Sequence, residues 1–323
     1  MLKKEFKISR IPLKLSRPVA DDSFYGRDAE LKYVWDYHIS KGGSLLLSGP
    51  ARVGKTSFAR RLLALAEKNN WKTVYLNLAG IKTEKEFVKF LMEEIQGEKL
   101  GNQFCYIALK LLGSIKLKNG EKEISIDTDI WLSDAYGKIW KLIKKGEKML
   151  IVIDELAAYL SHLLEQKNGP EKIEFFFEWL QKFREPEKGC WILCDSVEFE
   201  NFVLKYQLDR LLAGFHTYNI EPFSEDKAKD FILHLDVDKN LKFTDEHIQY
   251  ILNKLDCYLP GFIQIFVDRI NFLVCVKGRQ FSNDTIDEAQ DCLIRENSLI
   301  HLPLFASGGY AVGQNDNYSS SFY

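Results

Sequence analysis

Up to about residue 221, short apolar runs alternate with stretches whose apolar residues recur every three or four positions. These are the marks of strands and of amphipathic helices. "DAELKYVWDYH" predicts a capped helix beginning near Asp28. "GGSLLLSGP" predicts a short strand ending in Gly49-Pro50, with the helix "KTSFARRLLALAEKN" directly after it. "WKTVYLNL" is the next strand and "TEKEFVKFLMEEI" the next helix. Residues 97–135 are less regular, and "SIKLKNGEKEISID" reads as a hairpin about Asn119-Gly120. "WLSDAYGKIWKLIKKG" predicts a helix leading into "KMLIVIDE", an unbroken apolar run suited to a strand covered on both faces. Helices near 155–167 and 171–184, the strand "CWILCDS", the helix "EFENFVLKYQLDRLL" and the short strand "HTYNIEPF" complete the series.

Five strands alternating with helices predict an α/β fold, a parallel five-stranded sheet with helices on both faces. From "SEDKAKDFILHL" onward the strand signal ends, and four amphipathic helices follow to about residue 298. The expected organisation is a basic, solvated N-terminal arm over 1–22, an α/β core over 23–222, an all-α domain over 223–300 and a disordered tail over 301–323.

Composition narrows the function classes. Charged residues make up 28% and hydrophobic ones 46%, the proportions of a soluble globular protein. A net charge of −2 does not support a dedicated nucleic-acid binder, although a local basic patch stays open. No apolar run approaches the roughly 20 residues of a membrane span. "MLKKEFKISRIPLKLSRP" lacks the apolar region of a signal peptide, so a cytoplasmic location is expected. The six cysteines form no Cys-x-x-Cys pair, and Cys190 and Cys194, in an apolar run, are expected to be buried reduced thiols.

The chemistry is concentrated in "GPARVGKTS". Gly49-Pro50-Ala51-Arg52-Val53-Gly54-Lys55-Thr56 fits Gly-x-x-x-x-Gly-Lys-Ser/Thr, between a predicted strand and a predicted helix. Glycines let backbone N–H groups curl around phosphate oxygens, and the helix that opens with Lys55, Thr56 and Ser57 turns its positive end toward them. Lys55 is expected to reach the β- and γ-phosphates, and Thr56 to offer its hydroxyl to Mg²⁺. "MLIVIDE" supplies the other half: Asp154, at the end of an apolar strand, to hold Mg²⁺ through water, and Glu155 to deprotonate an attacking water. Asp195-Ser196 suits either a polar group near the γ-phosphate or a helix cap. Asn77 suits a turn better than a restraint on Glu155.

Four segments carry a family resemblance: "FYGRDAEL", "GPARVGKTS", "IVIDE" and "LPGFIQIFVDRI". Together they resemble the prokaryotic AAA+/STAND P-loop ATPases, in particular the archaeal-type ATPase group, over residues 23–298. The resemblance implies that Phe24, Tyr25, Gly26 and Arg27, with Glu30 and Leu31, lead in beside the adenine. It also implies a lid helix that starts at Pro260 and Gly261 and closes over the nucleotide. Two departures stand out. Relatives often carry Gly-Arg before the last core strand, where this chain has Gly214-Phe215, so a catalytic arginine is either missing or replaced by Arg210. Many relatives also continue into a winged-helix domain, and this tail shows no such pattern.

A small-molecule kinase would share the phosphate loop but needs an arginine-rich lid, and the corresponding stretches are poor in arginine. Three readings remain. One is an ATP-hydrolysing switch that signals to a protein partner or assembles as a homo-oligomer. Another is a nucleotide-binding scaffold with little turnover. The last is a DNA-associated ATPase, which the charge balance disfavours.

Overall fold

A computed structural model describes residues 11–12, 24–96, 136–137, 139, 147–182, 189–194, 197–238 and 241–296. The chain divides into two compact units, Pro18–Glu221 and a second made of Met1–Arg17 with Pro222–Tyr323. The expected hairpin about Asn119-Gly120, Ser196 and the tail lie outside the described residues.

The elements follow in chain order as β1 (Ile11–Pro12), α1 (Asp28–Tyr37), β2 (Ser44–Ser48), α2 (Lys55–Lys68), β3 (Lys72–Asn77) and α3 (Glu84–Gln96). Next come β4 (Met149–Asp154), α4 (Leu156–Leu164), α5 (Gly169–Lys182), β5 (Gly189–Cys194), α6 (Val197–Lys205) and β6 (Phe215–Asn219). The remainder is α7 (Glu225–His234), β7 (Leu235–Asp236), α8 (Asp245–Asn253), α9 (Pro260–Cys275) and α10 (Asn283–Glu296).

In the larger unit, five parallel strands run in the order β3-β4-β5-β2-β6. Hydropathy explains the order. SLLLS, MLIVID and GCWILC are buried at every position and occupy the three central places. KTVYLN and FHTYN have exposed positions and take the edges. A strand covered on both faces needs apolar residues throughout, whereas an edge strand tolerates polar ones. α2 buries Phe58, Ala59, Leu62, Leu63 and Ala66, one stripe at helical spacing, against this sheet. A second packing layer joins Phe87, Tyr159, Phe176, Trp179 and Trp191 in a mainly aromatic cluster. Cys190 and Cys194 are fully buried, and burial pushes the Cys190 thiol up to about 12.

The smaller unit is helical, with its helix starts fixed by local chemistry. Ser224 caps α7 by accepting from the Lys227 N–H. Thr244 and His247 form a reciprocal capping box on α8. Pro260 opens α9, where its missing N–H costs no helical bond. α9 then buries Phe262, Ile263, Phe266, Val267, Ile270 and Leu273. Ile11–Pro12, inside the expected solvated arm, instead pair in parallel with Leu235–Asp236, and Ile11 is buried.

Two local expectations need correction. α1 does start at Asp28, but no side chain caps it; Asp28 and Glu30 in its first turn complement the helix dipole instead. The helix expected through Arg210 stops at Lys205, because Gln207 takes a left-handed conformation (φ 53°). Arg210 therefore sits on a separate 3₁₀ turn, Asp209–Leu212. Val203 is buried and Phe202 packs against the core, whereas Tyr206, just past the end of α6, is 40% exposed. Among the described residues, no helix is long and apolar enough to cross a membrane.

Candidate functional site

The loop between β2 and α2 is shaped by three left-handed residues, Gly49 (φ 136°), Arg52 (φ 63°) and Gly54 (φ 102°). The two glycines have different physical reasons. A Cβ on Gly49 would lie 2.5 Å from the Ile220 carbonyl oxygen, so the backbone passes too close for any side chain. A Cβ on Gly54 would meet no described atom within 4 Å. Gly54 is thus the residue before α2 and borders open space at a helix N-terminus, the place where backbone N–H groups and the helix dipole favour an anion.

Side chains converge on this loop. The Lys55 ammonium folds back to donate to the carbonyl oxygens of Gly49 (2.8 Å) and Pro50 (2.9 Å). The Thr56 hydroxyl donates to Asp154 Oδ2 at 2.8 Å, joining the phosphate loop to the end of β4. Asp154 is 6% exposed. Its Oδ2 also accepts from the Tyr75 hydroxyl (2.8 Å), and its Oδ1 from the Glu155 N–H (3.1 Å). Burial, and next the Asp154 charge, push the Tyr75 phenol well above its usual range, which keeps it a proton donor.

Glu155 adopts φ 59°, ψ 41° at the start of α4 and is exposed. A non-glycine residue held in the left-handed region carries about 1–3 kcal/mol of strain, and such residues cluster at functional sites. Here the strain turns the chain sharply, so that buried Asp154 is followed at once by a carboxylate facing water. Asn77, paired in register with Asp154, accepts the Ala79 N–H at 3.0 Å, the turn-forming role.

Arg27 is 4% exposed, and its guanidinium is committed to protein acceptors: Glu30 Oε2 (2.8 Å), the Val53 carbonyl (3.3 Å) and the Glu221 carbonyl (2.6 Å). It thus clips the phosphate loop to α1 and to the chain leaving β6. Val53 itself is fully buried, so only its main chain can serve a ligand. Phe24 meets Phe58 at 6.3 Å, and Phe58 stacks on Tyr218 at 5.8 Å. Ala51 and Arg52 are exposed on the loop, and Ser57 follows Thr56 in the first turn of α2.

The remaining expected residues stand elsewhere. Pro260 and Gly261 open α9 in the smaller unit. Arg210 is 72% exposed and pairs with Glu174 at 2.6 Å. Phe215, where relatives often carry arginine, is 9% exposed and part of the core. Sequence reading missed Tyr75 as a site residue. Its position two residues before Asn77, hence on the same sheet face, was the available signal.

A phosphate loop opening a helix, with an acidic strand end hydrogen-bonded to its threonine, defines the P-loop nucleotide-binding fold. A model of the AAA domain matches residues 38–200, just over half of the chain, and the protein belongs to this family. Solved structures agree on the fold. The Walker-type ATPase of Pyrococcus abyssi is 18% identical, with 89% of this chain and 77% of that one covered and a TM-score of 0.52. The ORC2 protein of Aeropyrum pernix, in its ADPNP-ADP complexes, is 11% identical over 89% and 72% of the two chains, with a TM-score of 0.56. CDC6P of Pyrobaculum aerophilum is 14% identical over 90% and 73%, with a TM-score of 0.53. No curated protein matches the chain.

Proposed function

We propose that this protein is a cytoplasmic, Mg²⁺-dependent ATPase acting as a nucleotide switch. The observation that carries the reading is the 2.8 Å hydrogen bond from Thr56 to Asp154, with Glu155 exposed beside it. Phosphate binding falls to the backbone of Gly49–Thr56 and to Lys55, whose ammonium exchanges the neutral carbonyls of Gly49 and Pro50 for phosphate oxygens. One hydroxyl and one carboxylate, with no cluster of three or more metal-ligating side chains among the described residues, fit a small hard cation that keeps waters and takes its other oxygens from phosphates. Mg²⁺, when bound, supplies charge neutralisation at the β- and γ-phosphates. Thr56 and Asp154 would hold it, and Glu155 accepts the proton of the attacking water. Phe24, Tyr25 and Gly26 form the adenine side, with Arg27 bracing the loop from behind. The nucleotide state then governs the helical unit, and through it a protein partner or a second copy.

Slow turnover is the second reading, favoured by two placements. Phe215 is buried where an arginine would serve catalysis, and Arg210 is an exposed residue paired with Glu174. A scaffold with little turnover would bind ATP yet lack that charge.

Glu155→Gln separates the two. The amide keeps the shape but accepts no proton, so ATP binding is retained while turnover falls about 10² or more. A steady-state phosphate-release assay measures this. Equal turnover in parent and variant would remove Glu155 as the base.

A further inference from the structure

Asp154 can accept about four hydrogen bonds through its two carboxylate oxygens. Three partners are present: Thr56 Oγ1 and the Tyr75 hydroxyl on Oδ2, and the Glu155 N–H on Oδ1. The Glu155 bond is local and the Thr56 bond belongs to the phosphate loop. Tyr75 is the addition. It stands on β3, two residues before Asn77, whose Cα partner is Asp154; side chains at 75, 77 and 154 therefore share one face of the sheet. A tyrosine is long enough to reach diagonally to the next pair on that face.

The ring of Tyr75 is also held by Arg60. Arg60 lies one turn beyond Thr56 on α2, so both project from the same helix face. Its guanidinium carbon sits 4.3 Å from the Tyr75 ring centroid, within cation–π range. The Arg60 Nε is buried with no hydrogen-bond partner among the described residues. A cation thus sits over the ring and acts on the phenol as well, while the phenol donates to the carboxylate.

We propose that Tyr75 is a positioning residue for the cation site: it fixes the Asp154 carboxylate so that one acceptor position, on Oδ1, faces a water held by Mg²⁺, and Arg60 holds Tyr75 in place. This rests on the assignment of Asp154 to Mg²⁺ made above. A fixed carboxylate with one open acceptor favours a single hydrated cation and disfavours direct two-oxygen coordination. Removing the hydroxyl leaves Oδ2 held by Thr56 alone and lets the carboxylate turn about that single bond.

The test is ATP affinity by calorimetry across buffered Mg²⁺ concentrations, in parent and Tyr75→Phe. Phenylalanine keeps the ring and its contact with Arg60. Affinity in EDTA is expected to match the parent, while the Mg²⁺ concentration for half-maximal gain rises about tenfold, the effect of losing a hydrogen bond to a charged group. At saturating Mg²⁺, turnover returns to within about twofold of the parent; a purely structural tyrosine would shift unfolding and leave the Mg²⁺ requirement alone. An unchanged Mg²⁺ requirement overturns the proposal and leaves the nucleotide site standing. A parent whose ATP affinity ignores Mg²⁺ overturns the cation site itself, and the proposal with it. Should Tyr75→Phe fold poorly, Arg60→Gln keeps the hydroxyl and removes the cation beside the ring and phenol. It is expected to raise the Mg²⁺ requirement about threefold, and no change there also overturns the proposal.

Discussion

Alanine at three glycines separates what the phosphate loop needs for folding from what it needs for binding. At Gly54 (φ 102°) the added methyl meets no described atom, so its cost is backbone strain, about 1–3 kcal/mol. At Gly49 (φ 136°) the same strain applies, and the methyl also lies 2.5 Å from the Ile220 carbonyl oxygen. That oxygen belongs to backbone held in register, since the Ile220 N–H donates to the Ser48 carbonyl at 2.9 Å. It cannot move aside as a flexible side chain would, which adds about 1–3 kcal/mol of overpacking, for about 2–6 in all. Gly80 has neither a left-handed φ nor a neighbour within 4 Å, so alanine there is expected to be neutral or to stabilise by about 0.5 kcal/mol. Urea midpoints should therefore fall in the order Gly80→Ala, Gly54→Ala, Gly49→Ala. ATP affinity should break that order, because Gly54→Ala puts its methyl into the space assigned to phosphate and loses binding about tenfold or more while still folded. Equal midpoints for Gly49→Ala and Gly54→Ala, or parental ATP binding by Gly54→Ala, would refute the reasoning.

Two further outcomes follow from side-chain placement. Arg27→Met leaves the Glu30 carboxylate and the carbonyls of Val53 and Glu221 without this donor. The expected loss is about 2–4 kcal/mol by urea unfolding, with weakened ATP binding; Arg27→Lys should not restore either, since one ammonium cannot replace a planar fork. Arg210→Ala breaks an exposed pair with Glu174 and is expected to change stability by less than about 0.5 kcal/mol and to leave turnover per chain unchanged. A fall of about 10³, restored by mixing with Lys55→Ala chains, would instead make Arg210 an arginine supplied to a neighbouring subunit.

The parts of this protein legible in its sequence are those in which the cause is local. SLLLS, MLIVID and GCWILC announce central strands because a doubly covered strand admits nothing polar. The strand, loop and helix around Gly49–Thr56 are likewise contained in one short stretch. What escaped depends on distant partners or on unmarked backbone turns. Arg27 was legible only through family resemblance, since the carbonyls it holds lie 26 and 194 residues away. The link from Tyr75 to Asp154 spans 79 residues. The break before Arg210 occurs at Gln207, a left-handed residue with no glycine to flag it. The pairing of Ile11–Pro12 with Leu235–Asp236 is two residues long, too short to leave a periodic signal.

The central claim, that the loop from Gly49 to Thr56 binds the phosphates of ATP, is tested most directly by calorimetric titration of Mg-ATP into parent and Lys55→Ala protein. Lys55 is partly exposed and donates to two carbonyls of its own loop, so its loss should leave the fold intact. The account predicts saturable binding by the parent and none detectable by a variant with an unchanged urea midpoint. A folded Lys55→Ala chain that binds Mg-ATP as the parent does would contradict it.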